Sequence, residues 1–363
     1  MAGSAASEDR GRPLLNPALR RLWRDDAALQ LGLDCGPALV IHGVDPATRA
    51  TLDRLNGRHT VAEILQAAAA DGQDDAAIRR LLDDLWRAGA LLPGDPGALA
   101  GLGGPAEVDR LGPDLASLSL LARNGGPDAV TRMTRRRRAL VVVHGATRVG
   151  VPLAAALAAA GVGRVHVTDE GAALLAEAAP GGLLPTDEDR PRRVAANDAV
   201  QRAAPGVDTA VGPHDVPDLA VLCDPWPAED VLAVLAAAGT PHLAATVREA
   251  TGIIGPLVLP GRTACLGCID RHRSDRDRGW PALLAQLTAR RRRAADALDG
   301  PLALLVAAAA ALQALAFLDL AGRPPPGISD ASLELRLPDW KLRRRSWPPH
   351  PRCRCGTPVA AAG

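Results

Sequence analysis

Apolar and polar positions along the chain first indicate a compact block over residues 13–93. Two short apolar stretches, 29–33 and 38–44, lie on either side of a turn at 34–37 that contains aspartate, glycine and proline. Apolar runs separated by such turn residues are typical of a β-hairpin. The block therefore begins with a small antiparallel sheet.

Helical periodicity fills the rest of this block. Apolar residues recur at helical spacing after Asp45, after Thr60 and after Asp74, and Glu63 completes a capping box with Thr60. Residues 88–92 then suit a closing wing. A small sheet with three helices predicts a winged-helix-like domain over this block, preceded by a disordered tail at residues 1–12.

The pattern changes after residue 138. A continuous apolar run at 139–145 is typical of a buried parallel strand, and an apolar helical segment at 151–161 and a second strand at 164–170 complete a βαβ unit. Strand, helix and strand recur at 219–224, 228–239 and 241–247. This alternation predicts an α/β fold with a doubly wound, Rossmann-like, mostly parallel sheet over 139–363.

Residues 94–138 separate the two blocks. Glycine and proline punctuate the first part of this stretch, and four arginines at 135–138 end it. We interpret it as a linker followed by a solvated charge cluster. The formal net charge of the whole chain is +1 and aromatic residues are few, so we expect no nucleic-acid partner.

Composition places the protein in a reducing compartment. Six cysteines among 363 residues are too few for a disulfide framework, and the first residues lack the basic-then-apolar pattern of a signal peptide. The apolar stretch 301–322 is about long enough to cross a bilayer, but it contains Gln313 and Asp319, which favours a buried helix. We therefore expect a cytoplasmic protein with no membrane partner.

The turn after the first strand of the βαβ unit resembles a nucleotide-binding loop. Gly145 and Gly150 keep the outer glycines of such a loop, and Asp169 closes the second strand, where an acid binds a ribose hydroxyl. Thr147 and Arg148 occupy the positions where small residues admit phosphate. A working nucleotide site and a degenerate or empty one both stay open.

Four cysteines form a second candidate site. Cys265 and Cys268 make a C-x-x-C pair, and Cys353 and Cys355 make a second pair near the C-terminus. Four thiols in two close pairs suit a structural zinc ion, whereas a redox C-x-x-C would not need the second pair. The second pair is C-x-C, so His350 is an alternative fourth ligand, and free or redox-active thiols are the alternative to zinc.

Several phrases of the chain together resemble the ThiF/MoeB/HesA family, relatives of the ubiquitin-activating enzymes. They are the strand, glycine turn and helix of the βαβ unit, the segment 252–273 and the terminal "CRC". The phrase "GPLVLPGRTACLGCIDRHRSDRDRGWPALLAQL" is similar to an actinobacterial branch grouped with leader-peptide-binding proteins of azole-forming peptide biosynthesis, the TOMM cyclodehydratase-associated proteins. The resemblance spans about 139–356, and the block 13–93 resembles a PqqD-like recognition element.

This resemblance implies a site that binds ATP and magnesium. The glycine-rich loop corresponds to the turn between Gly145 and Gly150, the ribose acid to Asp169 and the magnesium aspartate to Asp224. The lysine that family members place on the triphosphate corresponds to Arg192, and Arg190 lies beside it. The chain has no lysine before Lys341, and arginine is not a like-for-like replacement in a preorganised site.

Two functions follow from these residues. The first is a non-catalytic protein that binds a leader peptide along a sheet edge within 29–44 and beside the helix at 74–88, whose arginines would attract acidic residues, and presents it to a separate modifying enzyme. The alternative is an ATP-dependent adenylyltransferase that activates the C-terminus of a peptide or ubiquitin-like protein. A scaffold that only forms a homodimer through its alanine-rich helix is a third interpretation.

Overall fold

The computed structural model describes residues 11–33, 39–121, 128–289, 298–323 and 327–357. The chain divides between Thr134 and Arg135 into two compact units. Most of the expected tail and the expected hairpin turn, including Cys35, lie outside the described residues.

The N-terminal part of the first unit contains a three-stranded antiparallel sheet, a two-stranded pair and three helices. Its strands are β1 (Pro13–Leu15), β2 (Arg21–Asp25), β3 (Ala28–Leu31), β4 (Leu39–His42) and β5 (Leu91–Pro93), and its first helices are α1 (Pro46–Arg54), α2 (Val61–Ala70) and α3 (Asp75–Arg87). The order in the sheet is β2-β3-β4, so the predicted hairpin is present as β3 and β4. Strand β5 pairs with β1 instead of extending this sheet. The winged-helix-like assignment stays a prediction.

Capping side chains start each of these three helices, as the sequence predicts. Asp45 accepts the backbone N–H of Thr48 at 2.6 Å, and Asp74 caps α3. Thr60 and Glu63 form a reciprocal capping box. These bonds satisfy backbone donors that have no partner inside the helix. Below the caps, the apolar faces form one core with residues such as Leu29, Leu52, Ile64, Leu82 and Leu85.

The expected linker is helical instead. Residues 94–138 contain α4 (Pro96–Leu99), a short 3-10 turn, α5 (Pro105–Leu121) and α6 (Ala129–Arg138). These residues form helices because they have a small hydrophobic core of their own, in which Leu102, Leu111 and Met133 are fully buried. The glycines and prolines that suggested a linker mark breaks between these helices, apart from Pro113 inside α5.

The arginine run at 135–138 is also not a purely solvated cluster. The side chain of Arg136 is 6% exposed, and its guanidinium donates two hydrogen bonds of 2.7 Å to the carboxylate of Asp319. A third bond of 3.1 Å goes to the carbonyl of Ala160. This bidentate pair attaches Arg136 to the long helix that contains Asp319.

The second unit is built on a seven-stranded sheet. Its strands are β6 (Leu140–His144), β7 (Arg164–Thr168), β8 (Leu219–Leu222), β9 (His242–Arg248), β10 (Thr251–Val258), β11 (Ala331–Arg336) and β12 (Lys341–Ser346), in the order β12-β11-β10-β9-β8-β6-β7. Strands β7, β6, β8 and β9 are parallel, as expected for a doubly wound α/β sheet. Strands β10, β11 and β12 continue the sheet in antiparallel pairing.

Helices cover both faces of this sheet. They are α7 (Gly150–Ala159), α8 (Arg192–Ala203), α9 (Glu229–Ala237), α10 (Leu266–Arg276), α11 (Trp280–Ala289) and α12 (Gly300–Asp319). The main core lies under α7, α8 and α12. A smaller apolar cluster on the opposite face joins Ala220 and Leu222 to Leu235 of α9.

Helix α12 is the membrane candidate of the sequence. Among the described residues it is the one helix long and apolar enough to cross a bilayer by length and composition. It contacts α7, β9 and β10, and its side chains from Leu302 to Leu318 contribute to the main core. These contacts fit the predicted buried helix.

Candidate nucleotide and metal sites

The glycine turn between β6 and α7 is closely packed. Gly145 has a φ of +102°, and a Cβ atom there would lie 3.0 Å from Oδ1 of Asp224. A Cβ atom at Gly150 would lie 2.0 Å from the carbonyl oxygen of Gly145. Both positions therefore require glycine because of close contacts within the protein, whether or not a ligand binds.

Side chains of the protein accept the backbone donors of this turn. The buried hydroxyl of Thr147 accepts the N–H groups of Gly150 at 2.9 Å and Val149 at 3.2 Å. The N–H of Ala146 donates to Oδ2 of Asp169 at 2.7 Å. In a phosphate-binding loop such donors face the ligand, so a triphosphate would have to displace these bonds.

Arg192 lies in a buried ion network. Its Nε donates to Glu177 at 3.0 Å, and its Nη1 lies 3.4 Å from Oδ1 of Asp169 and 3.0 Å from the carbonyl of Glu170. The side chains of Arg192 and Glu177 are 5% and 0% exposed. Two carboxylates therefore already balance the charge that the resemblance assigns to a triphosphate.

Arg190 forms a separate pair of ion contacts. Its guanidinium lies 2.5 Å from a carboxylate oxygen of Asp187 and 2.5 Å from one of Asp198. The hydrogen bonds to Asp198 and Asp187 raise the pKa of Arg190. Its charge is thus also balanced within the protein.

Asp224 follows β8 at the same sheet edge as the glycine turn. The neighbouring Cys223 is buried, and burial raises the pKa of its thiol. Cys223 therefore packs as a small buried hydrophobe. The side chain of Arg148 lies beside the start of α12, where its guanidinium donates to the carbonyl of Leu298 at 3.3 Å.

The four predicted cysteines converge in the second unit. Cys265 and Cys268 stand at the start of α10, and Cys353 and Cys355 lie in the segment after β12. The Sγ atom of Cys265 is 3.8 Å from that of Cys268 and 3.6 Å from that of Cys353, and Cys268 is 3.6 Å from Cys355. All four sulfur atoms lie within 4.8 Å of one another.

These distances fit a tetrahedral metal site. Zn–S bonds of about 2.3 Å require sulfur–sulfur edges of about 3.8 Å. The hydrogen bond that Cys265 donates lowers the pKa of Cys268, which favours a thiolate ligand at this position. The four cysteines can therefore hold a metal ion such as zinc, which would join the start of α10 to the C-terminal segment.

His350 makes hydrogen bonds to residues outside the cysteine cluster. Its Nε2 lies 2.9 Å from a carboxylate oxygen of Asp275, and its Nδ1 accepts the backbone N–H of Arg352 at 3.1 Å. Both ring nitrogens thus have partners, and the four thiols come together without the imidazole. The arrangement favours Cys355 over His350 as the fourth ligand.

Comparisons with known proteins identify the family of the chain. The model of the ThiF family matches residues 127–357. The chain belongs to the ThiF family. No curated protein shows significant sequence similarity to it.

Solved structures share the fold of this ThiF-family protein. E. coli MccB with ATP has 14% sequence identity and a TM-score of 0.63, over 94% of this chain and 99% of that chain. E. coli MccB with AMPCPP and MccA has 16% identity and a TM-score of 0.63, over 95% and 99%. PaaA has 16% identity and a TM-score of 0.64, over 91% and 98%. At these identities the likeness concerns the fold.

The ThiF-type residues singled out in the sequence lie at one edge of the sheet, apart from Arg190 with its own partners. Sequence reasoning missed Glu177, whose carboxylate lies against Arg192 and accepts the N–H of Leu174 at 3.0 Å. It also gave Thr147 only a steric role. The position of Thr147 three residues before Gly150, the first residue of α7, was the available signal that its hydroxyl could accept backbone N–H groups there.

Proposed function

We propose that this protein binds a peptide, or the leader segment of a precursor peptide, for modification, and that its nucleotide site is degenerate. The fold shared with MccB supports a peptide substrate, since MccB is known in complexes with MccA, N-formylated in one of them. The proposal of a degenerate nucleotide site rests on the buried network in which Glu177 and Asp169 neutralise Arg192.

The first unit supplies a candidate edge for the peptide. Strand β3 is central in its sheet, so the edge expected within 29–44 is β4. Among the described residues β4 pairs only with β3, and its residues Leu39, Val40 and Ile41 are half-buried. An extended peptide would pair with the backbone of β4 and place alternate side chains beside these apolar residues.

Charge contributes less to this proposal than the sequence suggests. The arginines of α3 lie next to aspartates of α3 or of its N-cap, with N–O distances of 2.7 Å for Arg79, 3.8 Å for Arg80 and 2.7 Å for Arg87. These pairs reduce the positive potential that would attract an acidic leader. We therefore propose that apolar contacts and backbone pairing dominate selection.

Val40→Asp tests the edge. We expect it to weaken the binding of precursor peptides encoded near the gene about tenfold, because a charge beside the added strand costs about 1.4 kcal/mol or more on desolvation. Fluorescence anisotropy with labelled peptides and the full chain measures this. Leu342→Asp, on the exposed strand β12 of the second unit, is the matched control. The edge proposal fails if the folded wild type binds none of these peptides or if Val40→Asp binds them equally well.

The contacts in the nucleotide site support a protein that binds a peptide without activating it with ATP. A triphosphate would need the donors that Thr147 and Asp169 accept and the charge that Glu177 balances. Displacing several buried hydrogen bonds and an ion pair costs several kcal/mol. The residues present therefore do not fit a tightly bound ATP–magnesium complex.

ATP with magnesium is expected to bind the full chain with a dissociation constant weaker than about 1 mM, and pyrophosphate exchange is expected to be absent. Calorimetry and an exchange assay with each precursor peptide measure the two quantities. Robust exchange that disappears in Asp224→Ala would overturn the degenerate site and establish adenylation.

Adenylyl transfer to a peptide or ubiquitin-like C-terminus is the second candidate function. One observation favours it: Asp224 lies against Gly145, and the turn is joined to Asp169 by a hydrogen bond, so the three family positions share one sheet edge. In that case Asp224 would hold magnesium and Asp169 the ribose.

A further inference from the structure

A pocket of about 60 Å³ lies in the second unit, between the sheet and helices α9, α10 and α11. Its apolar wall includes Leu232, Ile253, Leu266 and Leu284, and Trp226 and Trp347 also line it. Gly145, Asp169 and Arg192 do not line it. The pocket is therefore distinct from the candidate nucleotide site, although Trp226 follows Asp224 by two residues.

Arg248, at the end of β9, is the distinctive polar group of this pocket. Its guanidinium carbon lies 4.0 Å from the ring centroid of Trp226, and its Nε and Nη2 donate to the carbonyl of Pro225 at 3.2 Å and 2.8 Å. The ring and the carbonyl fix the guanidinium in one orientation. Nη1 has no hydrogen-bond partner among the residues that the structure describes.

The charge of Arg248 is not balanced by a close carboxylate. Within the described ranges no carboxylate oxygen lies within 4 Å of its guanidinium. Burial, followed by the neighbouring Arg273, lowers the pKa of Arg248 to about 10, although the charges of Asp270 and Glu334 act in the opposite direction. It stays protonated at neutral pH.

The other charges around the pocket have partners. Arg273 lies 3.4 Å from Asp270, which also accepts the indole N–H of Trp280 at 3.2 Å. Glu334 lies 3.8 Å from Arg345. Asp270 and Glu334 also line the pocket, but their ion contacts are with Arg273 and Arg345. Among the described residues Arg248 is therefore the pocket cation without a carboxylate within 4 Å, and an anion is the ligand that would contact it directly.

We propose that this pocket binds a carboxylate carried on an apolar or aromatic body, with Arg248 as its ion-pair partner. Nη1 donates to the carboxylate, and the apolar wall contacts the attached body, part of which stays outside the pocket of about 60 Å³. The planar guanidinium favours a carboxylate, which it can contact through parallel hydrogen bonds. Identification of the carboxylate as a peptide C-terminus rests on the proposed function, whereas the carboxylate site itself does not.

Calorimetry on the full chain tests this site with four probes. They are the tripeptide Ala-Ala-Phe as the free acid, the same tripeptide as the C-terminal amide, the amidated tripeptide Ala-Glu-Phe, and 3-phenylpropionate. We expect the free acid to bind at least tenfold more tightly than its amide. We also expect Arg248→Gln to weaken free-acid binding at least tenfold, while the exposed Arg262→Gln leaves it unchanged.

The probes separate the sources of the carboxylate. Preference for the free-acid tripeptide supports a peptide terminus, equal binding of amidated Ala-Glu-Phe supports a side-chain carboxylate, and binding of 3-phenylpropionate alone supports a small free acid. The site is overturned if the folded wild type binds no carboxylate, if the amide binds as tightly as the acid, or if Arg248→Gln has no effect.

Two further measurements keep the test decisive. Circular dichroism checks the fold of Arg248→Gln, and Arg248→Lys replaces it if it does not fold, with the same expected direction because lysine lacks the planar fork. Leader binding along β4 is measured separately by anisotropy. Loss of that binding with carboxylate binding intact would overturn the proposed function and leave this site standing.

Discussion

Removal of the metal from the four-cysteine site is expected to lower the melting temperature of the protein by about 10 °C or more. Thiolate ligation joins the start of α10 to the segment after β12, and the free energy of metal binding contributes directly to folding. A loss of about 4 kcal/mol corresponds to such a shift for a unit of roughly 200 residues. Metal analysis of the purified protein should give about one zinc ion per chain, and calorimetry with and without a chelator measures the shift.

Single substitutions identify the fourth ligand. Cys355→Ser is expected to lose the metal and most of the stabilisation, because it removes one corner of the sulfur tetrahedron. His350→Gln is the matched control and should retain the metal, since the imidazole bonds to Asp275 and Arg352 instead. Metal-free protein whose melting temperature does not respond to chelation would contradict the site.

The βαβ unit and the capped helices could be predicted because their signals are local. The apolar run that became β6 and the capping box of Thr60 and Glu63 each depend on residues close in sequence. Strand β12 could not be predicted in this way, since every residue of Lys341–Ser346 is exposed and the sequence has no apolar alternation. It pairs with β11 through its backbone, which leaves no mark on the choice of side chains.

The candidate sites show the same contrast. The cysteine site was predictable because thiol spacing is specific and few other residues imitate it. The state of the nucleotide site was not, because it depends on where Glu177 and the hydroxyl of Thr147 point. Arg248 gave no signal in the sequence, since its isolation from carboxylates arises only when distant strands and helices pack together.

The buried ion pair between Arg136 and Asp319 is another long-range feature, since 183 positions separate the two residues. Asp319→Ala is expected to reduce the free energy of unfolding by about 3–5 kcal/mol, because it leaves the guanidinium of Arg136 buried without its carboxylate. Urea denaturation followed by circular dichroism measures the change.

A matched variant and a double variant separate this mechanism from a general effect of losing an ion pair. Arg343→Ala breaks an exposed contact of 2.8 Å with Asp339 and should cost less than about 1 kcal/mol, because solvent screens such pairs. Replacing both buried partners, with Arg136→Met and Asp319→Leu, should recover most of the stability, since no unpaired charge is then buried. An Asp319→Ala protein within about 1 kcal/mol of the wild type would show that water reaches the guanidinium, and the pair would then contribute no more than a surface contact.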